Sequence, residues 1–141
     1  MIILDTNVVS EMMAPTPSAA VKTWSDRLDP RQFWVTSVSR AELLYGVEIM
    51  PVGKRREALG LLIGRFFADT LKNEVLPFGA RDAEHFASIA AVRRKVGRPI
   101  STFDAQIAAI ARSRGFGVAT RNLRDFEECG VDVINPWEAA A

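Results

Sequence analysis

The sequence predicts an α/β fold: a mostly parallel sheet of four to five strands, covered by helices on both faces. Three observations predict it. Short apolar runs alternate with helical stretches along nearly the whole chain. The first of these runs, Ile2-Ile3-Leu4, is continuously apolar rather than alternating, as in a strand buried on both faces. The chain has 141 residues, of which 48% are hydrophobic and 25% charged, the length and composition of one globular domain over 1–141.

Taken in order, Ile2-Ile3-Leu4 is the first strand, and Asp5-Thr6-Asn7 breaks it before a short helix from about Val8. Thr16-Pro17 reads as the cap and first position of a second helix, reaching about Leu28 before Asp29-Pro30 ends it. Phe33 to Thr36 is aromatic and β-branched and forms the second strand. A helix follows from Ser39 to about Met50, closed by Pro51 and Gly53. Lys54 to about Lys72 is a long helix, because Leu59, Leu62, Ile63 and Phe66 fall on one face of a 3.6-residue period. Leu61 and Phe67 widen that stripe, which serves either the core alone or the core and a partner. Val75 to Phe78 is a third strand candidate. Helices over Asp82 to Val96 and Ala105 to Arg112 precede strands at Gly117 to Thr120 and Val131 to Ile134.

Composition excludes several classes. The formal net charge of +1 rules out a globally basic nucleic-acid wrapper but not a local basic patch. One Cys (Cys129) and one His (His85) cannot build a disulfide framework, a Cys/His zinc site or a catalytic triad needing a second His. Neither residue has partners for catalysis, so a helix-surface His85 and an incidental thiol are expected. A reducing, cytoplasmic setting fits the single Cys, and neither a secretory signal nor a transmembrane run is expected.

In open parallel sheets, ligands bind beyond the carboxyl ends of the strands. Asp5 directly follows the first strand. Glu42 falls in the first turn of the helix after the second, and Asp104 in the first turn of the helix after Pro99-Ile100. Each also has a local explanation. Ser39-Arg40-Ala41-Glu42 and Ser101-Thr102-Phe103-Asp104 read as capping boxes, and Asp5 as an Asx-turn or cap. Together they mean more, since carboxylates converging on one edge repel one another unless a cation is present. An all-oxygen set without His or Cys selects Mg²⁺ or Mn²⁺. Such ions act mostly on phosphates, which points to phosphodiester hydrolysis.

Met1 to Asn7, Ala41-Glu42, Asp104 to Ala109, Ala119 to Asn122 and Asn135-Pro136-Trp137, in this order, resemble PIN-domain ribonuclease toxins. The nearest branch is the VapC type, with its FitB-like members, from bacterial type II toxin–antitoxin pairs. The resemblance implies a PIN-like three-layer α/β/α sandwich and a metal-dependent endoribonuclease. Asp5, Glu42 and Asp104 match the family's principal acids, which bind one or two Mg²⁺ or Mn²⁺ ions. It also implies an RNA substrate, a homodimer, and a cognate antitoxin that lies partly near the active site, with DNA met only through the antitoxin. The family's fourth acidic position falls on Asn122, with Asp125 as a possible substitute. Thr120 can hold a water or a phosphate, and Thr6 and Asn7 are expected to orient Asp5. Arg93-Arg94-Lys95, Arg98, Arg121 and Arg124 are candidate RNA-phosphate contacts, Arg121 the best placed. Arg93 to Lys95 also suit a helix C-terminus for purely local reasons.

Two other classes stand beside this one. A different phosphate-handling α/β enzyme lacks its marks here: Asn7 replaces the second Asp of an Asp-x-Asp motif, and no G-x-x-x-x-G-K-[ST] loop exists. A PIN-fold interaction module that no longer cleaves is kept open by Asn122 and opposed by Asp5, Glu42 and Asp104.

Overall fold

The computed structural model describes residues 1–139. Its core is a parallel sheet of four strands in the order β2-β1-β3-β4, with β1 at Ile2–Leu4, β2 at Phe33–Trp34, β3 at Gly117–Ala119 and β4 at Val133–Ile134. The register sets Leu4 against Ala119 and Ile3 against both Trp34 and Val118. The helices are α1 (Thr6–Met13), α2 (Ala19–Asp26), α3 (Ser37–Glu48), α4 (Lys54–Arg65), α5 (Ala80–Lys95) and α6 (Thr102–Arg114).

The pleat sends alternate strand residues to opposite faces, and each face has its own core. Ile3 and Val118 pack with Ile89 of α5 and Ile107 and Ile110 of α6. Leu4 and Ala119 pack with Val8 and Val9 of α1, Trp24 of α2, Leu43 of α3 and Ile63 of α4. This is the three-layer arrangement the strand–helix alternation predicted. Each fully buried Val, Leu or Ile contributes roughly 1.5–3 kcal/mol through burial.

Four expectations need correction. Val75 to Phe78 forms no strand, only a bridge between Leu76 and Thr36, because Pro77 has no N–H to extend the pairing. Helix α2 begins at Ala19 rather than Pro17, and the Ser18 N–H donates to the Glu11 carboxylate (3.2 Å) instead of starting a helical turn. Helix α3 begins at Ser37, with Thr36 as its cap. The Thr36 hydroxyl accepts from the Ser39 N–H (3.2 Å), so the box starting at Ser39 does not form. The long helix ends at Arg65, and Phe66–Thr70 continues it as one wide π turn.

Helices α5 and α6 are joined by a buried acid. Asp82 accepts from the Gly79 N–H (2.8 Å), the Ser113 hydroxyl and Arg114 (3.2 Å). Burial alone would raise its carboxyl, but these bonds and the Arg114 charge outweigh it and hold the group below the usual range.

Candidate active site

Strand β1 lies inside the sheet, and the chain leaves it for β2 on one side and returns to β3 on the other. The gap beyond β1 and β3 is therefore the switch point, where helices diverge and leave a crevice. Asp5 and Thr120 are the residues that follow these strands, and both are buried. The Asp5 N–H still donates to Ala119 O (2.9 Å), so its backbone is fixed as an extension of the sheet.

Both Asp5 carboxylate oxygens are held. Oδ1 accepts from the Thr6 N–H (2.8 Å) and so caps α1. Oδ2 accepts from the Thr120 hydroxyl (2.7 Å) and from the Asn7 amide (3.4 Å). The Asn7 amide also reaches the Thr120 oxygen (3.4 Å), and its carbonyl accepts from the Arg121 N–H (3.3 Å). Thr6 and Asn7 thus hold Asp5 as expected, and Thr120, expected to hold a water or a phosphate, spends its hydroxyl proton on Asp5 instead.

Glu42 sits in the second turn of α3, one turn later than predicted, because the helix is capped by Thr36 and starts at Ser37, not at Ser39. Its carboxylate is therefore not used in a capping box. It accepts from the Thr6 hydroxyl instead (3.1 Å), which makes Thr6 the link between Asp5 and Glu42. Asp104 is in the first turn of α6, where its N–H donates to the Ser101 hydroxyl (3.1 Å), the expected half of its capping box.

The acids feel one another. Burial raises Asp104 most, against a lowering bond from Ser101, and the charges of Asp5, Asp125 and Glu42 lift it further, to about 6. Burial also raises Asp5, against bonds from Thr120 and Thr6, and Asp125 adds to the rise. Glu42 is raised by burial and by Asp5, against its bond from Thr6. The raised affinity for protons marks a cluster short of positive charge.

Among the described residues no three acidic, His or Cys side chains close into a ready-made metal cage. The donors nevertheless fit a hard cation. They are all carboxylates, they repel one another, and Mg²⁺ commonly keeps several waters while using one or two protein carboxylates.

The PIN-domain family model matches residues 2–131. The chain belongs to the PIN-domain family. It is 41% identical to the plasmid stability protein StbB of Pseudomonas syringae pv. tomato, over 99% of this chain and 100% of that one. It is 39% identical to the VapC ribonuclease Y4jK of Sinorhizobium fredii, over 99% and 100%. With toxin FitB of Neisseria gonorrhoeae it shares 34% identity, over 97% and 99%. A solved structure of FitAB bound to a DNA fragment superimposes with a TM-score of 0.90 at 32% identity, covering 100% of this chain and 99% of that one.

Within this PIN domain the two candidates for a fourth site position lie differently. Asn122 is exposed; its N–H donates to the Thr120 hydroxyl (3.1 Å), and its side chain makes no capping bond to the turn it precedes. Asp125, three residues later, is the group whose charge reaches Asp5 and Asp104. The predicted phosphate contacts also divide. Arg94, Lys95, Arg121 and Arg124 are exposed, and the Arg121 guanidinium lies over the Trp137 ring (4.9 Å to its centre). Arg98 pairs with Glu127 and Glu128. Arg93 is corrected outright: it is 5% exposed and bonded to backbone carbonyls, so it cannot reach RNA. Sequence reasoning missed this, although Phe86, Ile89 and Arg93 are spaced as one buried helical row. His85 lies half-buried on α5, and Cys129 is buried.

Thr6 and Glu42 also line one end of a groove of about 400 Å³. Its other walls are mostly apolar: Met13 at the end of α1, Ala14 and Pro15 after it, Leu43 on α3, and Leu59 and Leu62 on α4.

Proposed function

We propose that this PIN domain is the ribonuclease toxin of a toxin–antitoxin pair, a Mg²⁺- or Mn²⁺-dependent endonuclease that hydrolyses RNA phosphodiester bonds. The observation that carries this reading is the placement of Asp5, Glu42 and Asp104 about the sheet's switch point: burial raises the proton affinity of all three, Asp5 adds to the rise of Glu42, and Asp5 and Glu42 add to that of Asp104. The similarity to a VapC ribonuclease and to toxin FitB supports it.

Asp5 and Asp104 are the residues expected to hold the ion, with Glu42 beside them and Asp125 adding a fourth negative charge. A bound divalent ion supplies water activation and charge stabilisation at phosphorus. The rest of the work belongs to the chain. Thr120, Asn7 and the Thr6 N–H fix the Asp5 carboxylate, so it is not free to turn away when charge changes nearby. The Thr6 hydroxyl holds Glu42 towards the same centre. Arg121, with its guanidinium kept over Trp137, presents positive charge at the rim for a substrate phosphate.

The groove that starts at Glu42 and Thr6 is the proposed seat of a cognate antitoxin segment, since a chain laid along it would block the cleft. Homodimerisation, and DNA contact only through the antitoxin, complete the reading.

The test is cleavage of structured RNA by protein freed of co-purified partner, with Mn²⁺, with EDTA, and as D5N and D104N. Cleavage by the wild type alone, lost with EDTA and reduced at least a hundredfold in each variant, is expected. Cleavage at the wild-type rate by D5N would remove Asp5 from the machinery. Undiminished cleavage in EDTA would remove the metal.

A further inference from the structure

Among the described residues, Arg93 is a buried cation that the site does not use. It sits in the last turn of α5 at 5% exposure. A buried charge normally faces a carboxylate, but among the described residues none pairs with Arg93. Its donors go to the main chain of two other segments. Nε donates to Arg98 O (2.7 Å), and the Arg98 N–H returns a bond to Arg93 O (2.9 Å). Nη1 donates to Asp125 O (2.9 Å) and Glu127 O (3.1 Å), with the Cys129 sulfur at 3.8 Å.

Both segments lead to site acids. Arg98 lies in the connection that runs into Ser101, the cap that starts α6 and places Asp104. Asp125 and Glu127 lie in the segment after β3, and the charge of Asp125 is felt by Asp5 and Asp104. The loop is turned tightly enough that Glu128 takes a positive φ of 58°, an uncommon state for a non-glycine residue. On the surface the same two segments are tied again, where Arg98 pairs with Glu127 and with Glu128 (3.8 Å). A planar fork can grip two backbones at once, which a lysine ammonium does without directional control.

We propose that Arg93 is a positioning residue: it locks the loop bearing Asp125 to the segment leading into α6, and so sets the spacing of Asp125 from Asp104. The inference rests on the reading of the acids as a cation site. Arg93 touches neither substrate nor ion and acts through Asp125. A side chain that merely filled the core would affect stability without regard to what stands at position 125.

The experiment is a double-mutant cycle on Mn²⁺ affinity, by calorimetry on the full chain, with R93K, D125N and R93K/D125N. Hydrogen exchange is followed in the metal-free proteins. R93K is expected to weaken Mn²⁺ binding about tenfold, in the range typical of groups that orient metal ligands. In the D125N background the same change is expected to have no further effect. Exchange is expected to rise together at 98–104 and 123–129 and to stay unchanged in β1 and α1. Wild-type Mn²⁺ affinity in R93K, or a full tenfold loss persisting in D125N, would overturn the proposal. If R93K fails to fold, R98A takes its place. It removes only the exposed half of the tie, and it is expected to give a smaller loss that D125N again abolishes. If the wild type binds no Mn²⁺, the cation reading falls and exchange decides: joint loosening of the two segments upholds the clamp, and unchanged exchange in either overturns it.

Discussion

Asp104 titrates at about 6, pushed there by burial and by Asp5, Asp125 and Glu42. Two effects of opposite sign follow. A protonated carboxyl is a poor ligand, so Mn²⁺ affinity is expected to rise with pH through about 6 and to level off above 7, as calorimetry at a series of pH values will show. In the metal-free protein the folded state keeps this proton between the ordinary value of 3.8 and about 6, while the unfolded chain releases it. This stabilisation is fully present below the ordinary value and is lost as pH rises through about 6. At pH 7.5 the charged group therefore opposes folding, and D104N without metal is expected to be more stable than the wild type. The gain is on the order of 1 kcal/mol once the open side of the site is allowed for, or about 3–5 °C in Tm. A melt in EDTA in which D104N is no more stable than the wild type would mean that neither burial nor the neighbouring acids strain the Asp104 carboxylate. Asp5 and Asp104 were legible in the sequence because strand ends and helix caps are local features. Asp125 was only half legible, since its charge matters through the folding of a loop that no pattern encodes.

At the scale of elements, the instructive case is α3. The S-x-x-E pattern at Ser39 promised a capping box that would have absorbed Glu42. Thr36, three residues earlier, takes the cap because Ser37 and Leu76 bond through their backbones (2.8 Å) and fix the chain's turn out of β2. Ser39 is then buried inside the helix, and its hydroxyl has no partner among the described residues. The two assignments predict opposite mutants. T36A is expected to lose about 1–2 kcal/mol in urea unfolding, the usual loss for a missing cap. S39A, which deletes an unpaired buried hydroxyl, is expected to be neutral or slightly stabilising. The reverse order of stabilities would restore the Ser39 box and withdraw Glu42 from its bond with Thr6. The strand at Val75 to Phe78 failed for a similar reason: its composition is right, but pairing is a property of two segments, and Pro77 permits only one bridge.

At the scale of the whole molecule, the fold brings the apolar stripe of α4 against α1 and α3, and that places the site next to a surface a partner can use. Periodicity alone put Leu61 and Phe67 on this surface. The packed structure separates them from it. Leu61 is 63% exposed and stands off the groove, and Phe67 lies under the Arg40 guanidinium on another side. Leu62, with Leu59, faces the groove together with Glu42 and Thr6. A single stripe thus serves two purposes: Ile63 and Phe66 hold the core, and Leu59 and Leu62 line the way into the cleft. If an antitoxin segment occupies that groove, a charge at Leu62 meets apolar partner surface, whereas the acids are left as they were. L62E is expected to weaken binding of the cognate antitoxin by at least tenfold while retaining Mn²⁺ affinity and RNA cleavage, and L61E is expected to change neither. Binding measured on the purified pair separates the outcomes. Loss with L61E and not L62E would move the docking face to the outer side of α4. Loss of cleavage together with binding in L62E would show that the groove wall also supports the active site.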